Sequence, residues 1–169
     1  MNNAHILESY RPVNNRALAA VEIGMTALVI ALAAHVRIPL PWTEVPVTLQ
    51  TLPVLAMPFI VGTQRSAWGI LLYLFLGGLQ MPVFAVTTGA TFGFLASWAV
   101  VPLILARFKP AMGILISTLF IYAVGTAWYC VFKGIMPWTA LMMTVVPFIP
   151  GDVAKGVAAW LVGRKSPRA

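Results

Sequence analysis

Leu141-Met142-Met143-Thr144-Val145-Val146-Pro147-Phe148-Ile149-Pro150-Gly151-Asp152-Val153-Ala154-Lys155-Gly156-Val157-Ala158-Ala159-Trp160-Leu161-Val162 is long and apolar enough to cross a bilayer, yet it holds one carboxylate and one ammonium. Asp152 is one of only four acidic residues in the chain, so its place in an apolar run demands a reason. An ionisable group at membrane depth costs several kcal/mol unless it faces protein or a wet cavity. Residues three apart are neighbours on a helix, so Asp152 and Lys155 share a face. Two roles follow: contact with a ligand, or a self-satisfied ion pair that only joins helices.

The rest of the chain has the same character. It is 60% hydrophobic and 9% charged, with a mean hydropathy of +0.91, whereas a soluble domain is about half apolar and a quarter charged. Apolar segments run over Ala17–Val36, Val47–Val61, Ala67–Leu79, Thr91–Ala106, Ala111–Phe132 and Leu141–Val162. The fold class expected is an all-α integral membrane protein, a bundle of six transmembrane helices over 17–162. It is flanked by a polar tail (1–16) and a basic tail (163–169). The second, third and fourth segments are short for a full crossing, and Pro53 and Pro58 fall inside the second. Such helices are expected to be irregular and buried in protein. The first residues carry no apolar core or cleavage site, so the first span is expected to serve as its own insertion signal.

The net charge of +7 is scattered between apolar runs and does not form a nucleic-acid stripe. Arg11, Arg16, Arg65, Arg107, Lys109, Arg164, Lys165 and Arg168 fall on one side of a six-span topology, and Arg37 and Lys133 on the other. The positive-inside rule then places both termini in the cytoplasm. The outer loops are 37–46, 80–90 and 133–140, where Arg37, Trp42, Glu44 and the run from Gln80 to Gly89 lie. That asymmetry suits a multi-pass protein of a prokaryotic-type cell (inner) membrane that captures something from outside.

Catalysis finds no support. His5 lies in the polar tail and His35 at the end of the first span, and no metal spacing, phosphate loop or nucleophile elbow occurs. No catalytic residue, metal site or cofactor is expected. Cys130 is a small packing residue in an apolar run. Lacking a nucleotide motif, active transport would need another subunit or an ion gradient. Ala20, Gly24, Ala27, Ala31 and Ala34 recur along the first helix. Ala27 and Ala31 form a small-xxx-small pair suited either to a partner helix or to internal packing, and Glu22 can snorkel or pair with Arg16. Between the first two spans, Pro39, Pro41 and Pro46 hold the loop extended. Trp42 suits an aromatic-belt anchor or a lid over a pocket. Thr48 and Gln50 are candidate polar contacts, the glutamine suiting an amide or urea group or a carbonyl freed by Pro53.

Four motifs in order resemble a known family: Val45-Pro46-Val47-Thr48-Leu49-Gln50-Thr51-Leu52, Leu72-Tyr73-Leu74-Phe75-Leu76-Gly77, Met81-Pro82-Val83-Phe84-Ala85, and Ile149-Pro150-Gly151-Asp152-Val153-Ala154-Lys155. They are similar to the signatures of the BioY family, substrate-binding (S) components of energy-coupling factor (ECF) transporters for biotin. The family's Gly-rich run after the Pro-Val-Phe motif is shorter here; Thr88 and Gly89 match it, while its Pro, second Gly and Tyr have no counterpart. The resemblance implies vitamin capture from the outer side and association with a membrane coupling subunit and ATPase subunits, which alone would use ATP. It implies docking through Ala27 and Ala31, and ligand contact by Asp152 and Lys155. A biotin pocket would add Gln50 and Thr48 as polar groups and Trp42, Tyr73 and Phe84 as walls. An S component for a different small vitamin or nutrient, and a membrane scaffold whose polar pair only orients helices, are the alternatives.

Overall fold

The computed structural model describes residues 16–84 and 88–166. The expectations for Arg11, Arg168, His5 and the stretch after Phe84 fall partly or wholly outside them. Helix α1 (Arg16–His35) leads into a hairpin of β1 (Arg37–Leu40) and β2 (Thr43–Thr48), followed by α2 (Thr51–Val61) and α3 (Thr63–Gly78). Next come α4 (Thr88–Ser97), a 3-10 turn (Trp98–Val100) and α5 (Val101–Arg107), then α6 (Pro110–Lys133). The chain ends in α7 (Pro137–Thr144), a 3-10 turn (Val146–Phe148) and α8 (Ile149–Gly163). Joined across their 3-10 turns, α4–α5 and α7–α8 give six helical segments. Four of these are long and apolar enough to cross a membrane: Arg16–His35, Gly89–Arg107, Pro110–Lys133 and Pro137–Gly163.

The helical expectation holds, with corrections. The second segment does not start at Val47: Val47 and Thr48 belong to β2, and the helix begins at Thr51. Eight of the α2 residues are buried, so this short proline-bearing helix is wrapped by protein and need not span lipid alone. The chain is also not purely α. The proline-rich loop pairs with itself in an antiparallel register of Arg37↔Thr48, Ile38↔Val47 and Leu40↔Thr43, with an irregularity between Ile38 and Leu40. Pro39 sits at that irregularity, where its missing N–H breaks the ladder. The third segment starts earlier than expected, at Thr63, because Arg65 is neutralised by Glu22 of α1. Arg65, distant in sequence, is thus the partner that Arg16 was expected to be.

The fourth and sixth helical segments are broken. Pro102 and Pro147 cannot donate to the helical ladder, and the 3-10 turns lie just before or at them. The break at Val146–Phe148 puts Asp152 in the first turn of α8, where the helix dipole favours a carboxylate.

Packing relies on close backbone approach. A Cβ on Gly69 of α3 would lie 2.4 Å from Thr26 Cβ and 2.8 Å from the Ile23 carbonyl of α1. A Cβ on Gly93 of α4 would lie 2.2 Å from Trp128 Cβ of α6. Small residues at such crossings let membrane helices gain dispersion contact that lipid cannot supply. One core cluster unites Ile30, Val54, Ile70, Val101 and Ile114; a second, under the hairpin, holds Val45, Tyr129, Ala140 and Phe148. Outward faces stay apolar: Val21, Leu28 and Leu32 on α1 and Leu115 and Leu119 on α6 are exposed, as a lipid-facing surface requires.

Candidate functional site

Between the hairpin, α2, α4, α6 and the α7–α8 break lies a cavity of about 610 Å³ including its open mouth. Its walls include Val45, Phe84, Phe94, Ile121 and Phe148. Both helix breaks reach it, through Trp98 and Phe148. Discontinuous helices in membrane proteins tend to mark binding sites, since irregular backbone is tolerated only where it borders protein or a cavity.

Asp152 and Lys155 both line this cavity. Lys155 Nζ donates to Asp152 Oδ1 at 2.7 Å and to Thr51 Oγ1 at 3.1 Å. Thr51 donates to Asp152 Oδ1 at 3.3 Å, and the Tyr122 hydroxyl donates to Oδ2 at 2.6 Å. The carboxylate is thus held by three donors from α2, α6 and α8. An ammonium has three N–H groups, and two of Lys155's are used among the described residues. Glu22, Glu44 and Asp152, the carboxylates among the described residues, each have a basic partner; the Asp152–Lys155 pair is the one at the cavity.

A second polar chain backs the site. Gln50 Nε2 donates to the Tyr73 hydroxyl at 2.5 Å, which donates to the Val83 carbonyl at 3.2 Å. Gln50 therefore does not serve a carbonyl freed by Pro53. Tyr73 is fully buried behind the wall, edge-on to Phe84 with centroids 5.2 Å apart. Phe84 itself lines the cavity because Gly77 offers a notch: a Cβ there would lie 1.8 Å from Phe84 Cζ.

A family model described as the BioY family matches residues 7–169. The chain belongs to the BioY family. It is 34% identical to "Biotin transporter BioY" of Rhodobacter capsulatus over 84% of this chain and 89% of the relative. It is 30% identical to "Biotin transporter BioY2" of Lactococcus lactis subsp. cremoris, over 89% and 90% respectively, and 30% identical to "Probable biotin transporter BioY" of Pyrococcus horikoshii, over 88% and 97%. Among solved structures it superposes on the S-component for biotin from an ECF-type ABC transporter, with a TM-score of 0.77 at 20% identity over 90% of this chain and 92% of that one.

Within this BioY fold the expected site residues separate. Asp152, Lys155, Gln50, Thr48 and Phe84 meet at one cavity. Tyr73 acts from behind, through Gln50 and Phe84. Trp42 is not a cavity wall: it lies 55% exposed at the hairpin tip, beside a separate depression shared with Glu44, Tyr129 and Lys133. Gly89 does not line the cavity either. Its carbonyl accepts the Trp128 indole N–H at 2.8 Å. The side chain of Thr88 is outside the described residues. Ala27 is buried in the bundle core and Ala31 packs at its edge, the internal alternative for that pair. Residues not singled out from sequence are Thr51, Tyr122, Thr91 and Trp98. Thr51 lay unread inside a quoted motif, and Tyr122 is a polar-tipped ring in mid-span, a position where a polar group needs a partner.

Proposed function

We propose that the chain is the membrane substrate-binding component of an ECF-type transporter and captures biotin in the cavity around Asp152 and Lys155. The observation that carries this reading is the Asp152–Lys155 ion pair, braced by Thr51 and Tyr122, at the wall of a mostly apolar cavity in a BioY family chain. Biotin has an apolar bicycle, a urea with donors and an acceptor, and a carboxylate. A wet-edged apolar pocket with a few fixed polar groups matches that chemistry. The uncommitted N–H of Lys155 and the side-chain amide of Gln50 are the ligand's first partners, with Thr48 beside them.

The positive-inside bias supports cytoplasmic termini in a prokaryotic-type cell (inner) membrane and a cavity that loads from the outer, hairpin side. The chain has no nucleotide motif of its own, so ATP is used by ATPase subunits working through a membrane coupling subunit. On α1 that subunit has Ala20 and Gly24 available, with open space beyond Gly24, and Ala31 at the edge of the contact; small residues permit close helix approach.

The test is thermal unfolding of the purified protein in detergent with a vitamin panel. Biotin at about 1,000 times its Kd stabilises the folded state by roughly 4 kcal/mol through mass action. A shift with another vitamin and none with biotin would replace the substrate; no shift with any would favour a scaffold. A finer check is Gly77→Ala, which forces Phe84 out of the wall. Losing one aromatic face, worth about 1.5–3 kcal/mol when buried, weakens biotin binding by at least about tenfold, measured by titration calorimetry.

A further inference from the structure

The side of α4 that borders the cavity, continued into the 3-10 turn that follows it, presents Thr91, Phe94, Leu95 and Trp98, the stripe expected of one helical face. Two of these carry enclosed polar atoms that the fold leaves unserved. Thr91 Oγ1 and Trp98 Nε1 have no hydrogen-bond partner among the described residues, although the residues are only 8% and 4% exposed. Buried polar atoms are nearly always paired, and each exception calls for an explanation.

The neighbourhood supplies partners to other hydroxyls. Ser97 Oγ donates to the Phe94 carbonyl at 2.6 Å, and Thr144 Oγ1 donates to the Ala140 carbonyl at 2.8 Å and meets Thr126 at 3.0 Å. Ser117 Oγ is also unpartnered but is not part of the cavity wall. Thr91 and Trp98 combine both properties. The Trp98 indole is held in place by stacking on Tyr73, centroids 6.1 Å apart.

We propose that Trp98 and Thr91 are specificity-determining contacts that read an uncharged polar group of the cargo, the Trp98 N–H donating to the carbonyl of the cyclic urea. This rests on the biotin reading above and deepens it. An indole N–H only donates, while a threonine hydroxyl donates or accepts. No ionisable residue occurs from Thr88 to Val100, so a carboxylate set against this wall would lack a counter-charge and be heavily penalised. A neutral acceptor repairs the unpaired donor without bringing in charge. The charged groups of the site lie on the α8 wall, braced by Thr51 of α2 and Tyr122 of α6.

The experiment measures equilibrium binding to the full-length protein in detergent, using biotin and 2-iminobiotin, whose urea carbonyl is replaced by a group that is a donor-only guanidinium at neutral pH. Trp98→Phe keeps an aromatic ring and removes the N–H. It is expected to weaken biotin about 5- to 100-fold, the range for leaving a buried hydrogen bond unmade, and to change 2-iminobiotin by less than about twofold. Unliganded melting stays equal or rises, because an unserved buried donor has been deleted. Thr91→Val follows the same pattern with a smaller loss. Trp98→Phe and Thr91→Val both binding biotin like the wild type would overturn the proposal. So would equal losses for both ligands together with lower unliganded melting, which would make Trp98 a packing residue. A wild-type protein that does not bind biotin is a different result, and removes the substrate assignment beneath the proposal.

Discussion

Asp152→Asn and Lys155→Met each weaken biotin binding by roughly 30- to several-thousand-fold, the consequence of losing about 2–5 kcal/mol when one member of a buried charged contact is removed. The two carboxylate oxygens and the ammonium belong to one network with Thr51 and Tyr122. Deleting either charge strands the other in a low-dielectric cavity and lowers the stability of the unliganded protein as well, by about 3–5 kcal/mol. The double substitution Asp152→Asn with Lys155→Met separates the two roles. Replacing a buried pair by neutral groups of similar volume is often harmless to stability, so melting recovers toward wild type while affinity does not. If the double variant bound biotin normally, the pair would be a helix-joining device, and the ligand role would be lost.

Gly69→Val is expected to cause a large loss of fold stability that leaves the ligand-binding pair intact. Its branched side chain enters space held by Thr26 and by the Ile23 backbone, and the backbone atom cannot rotate away. Overpacking costs about 1–3 kcal/mol and more when backbone must move, so α1 separates from α3 and the Glu22–Arg65 pair is strained apart. Thermal unfolding without ligand measures this. Gly24→Ala on α1 is the control, since nothing lies within 4 Å of its added Cβ; its melting stays at or slightly above wild type. Equal melting for Gly69→Val and wild type would contradict the close α1–α3 contact.

Much of this was legible before the fold. The apolar runs located the helices, because lipid forces the backbone to satisfy its own hydrogen bonds. The spacing of Asp152 and Lys155 put the pair on one face, and their depth made a site the natural inference. What stayed hidden depends on long-range pairing. The strand pairing of Arg37 with Thr48 needs two halves of a proline-rich loop to fold back on each other, which prolines alone do not announce. Glu22 chose Arg65, 43 residues away, over Arg16 because α3 lies against α1. Thr91 and Trp98 sit in a run apolar on all sides, where periodicity cannot say which face meets a cavity. Trp42 was drawn to the pocket by its place in the proline-rich loop; the hairpin turn carries it past the rim.

A structure of the protein determined with bound biotin tests the central claim most directly. The account predicts ligand density inside the cavity, with a biotin polar atom within hydrogen-bonding distance of Lys155 Nζ and the Asp152–Tyr122 contact retained. Density in the outer depression beside Trp42 and Lys133, with the inner cavity untouched, would contradict it.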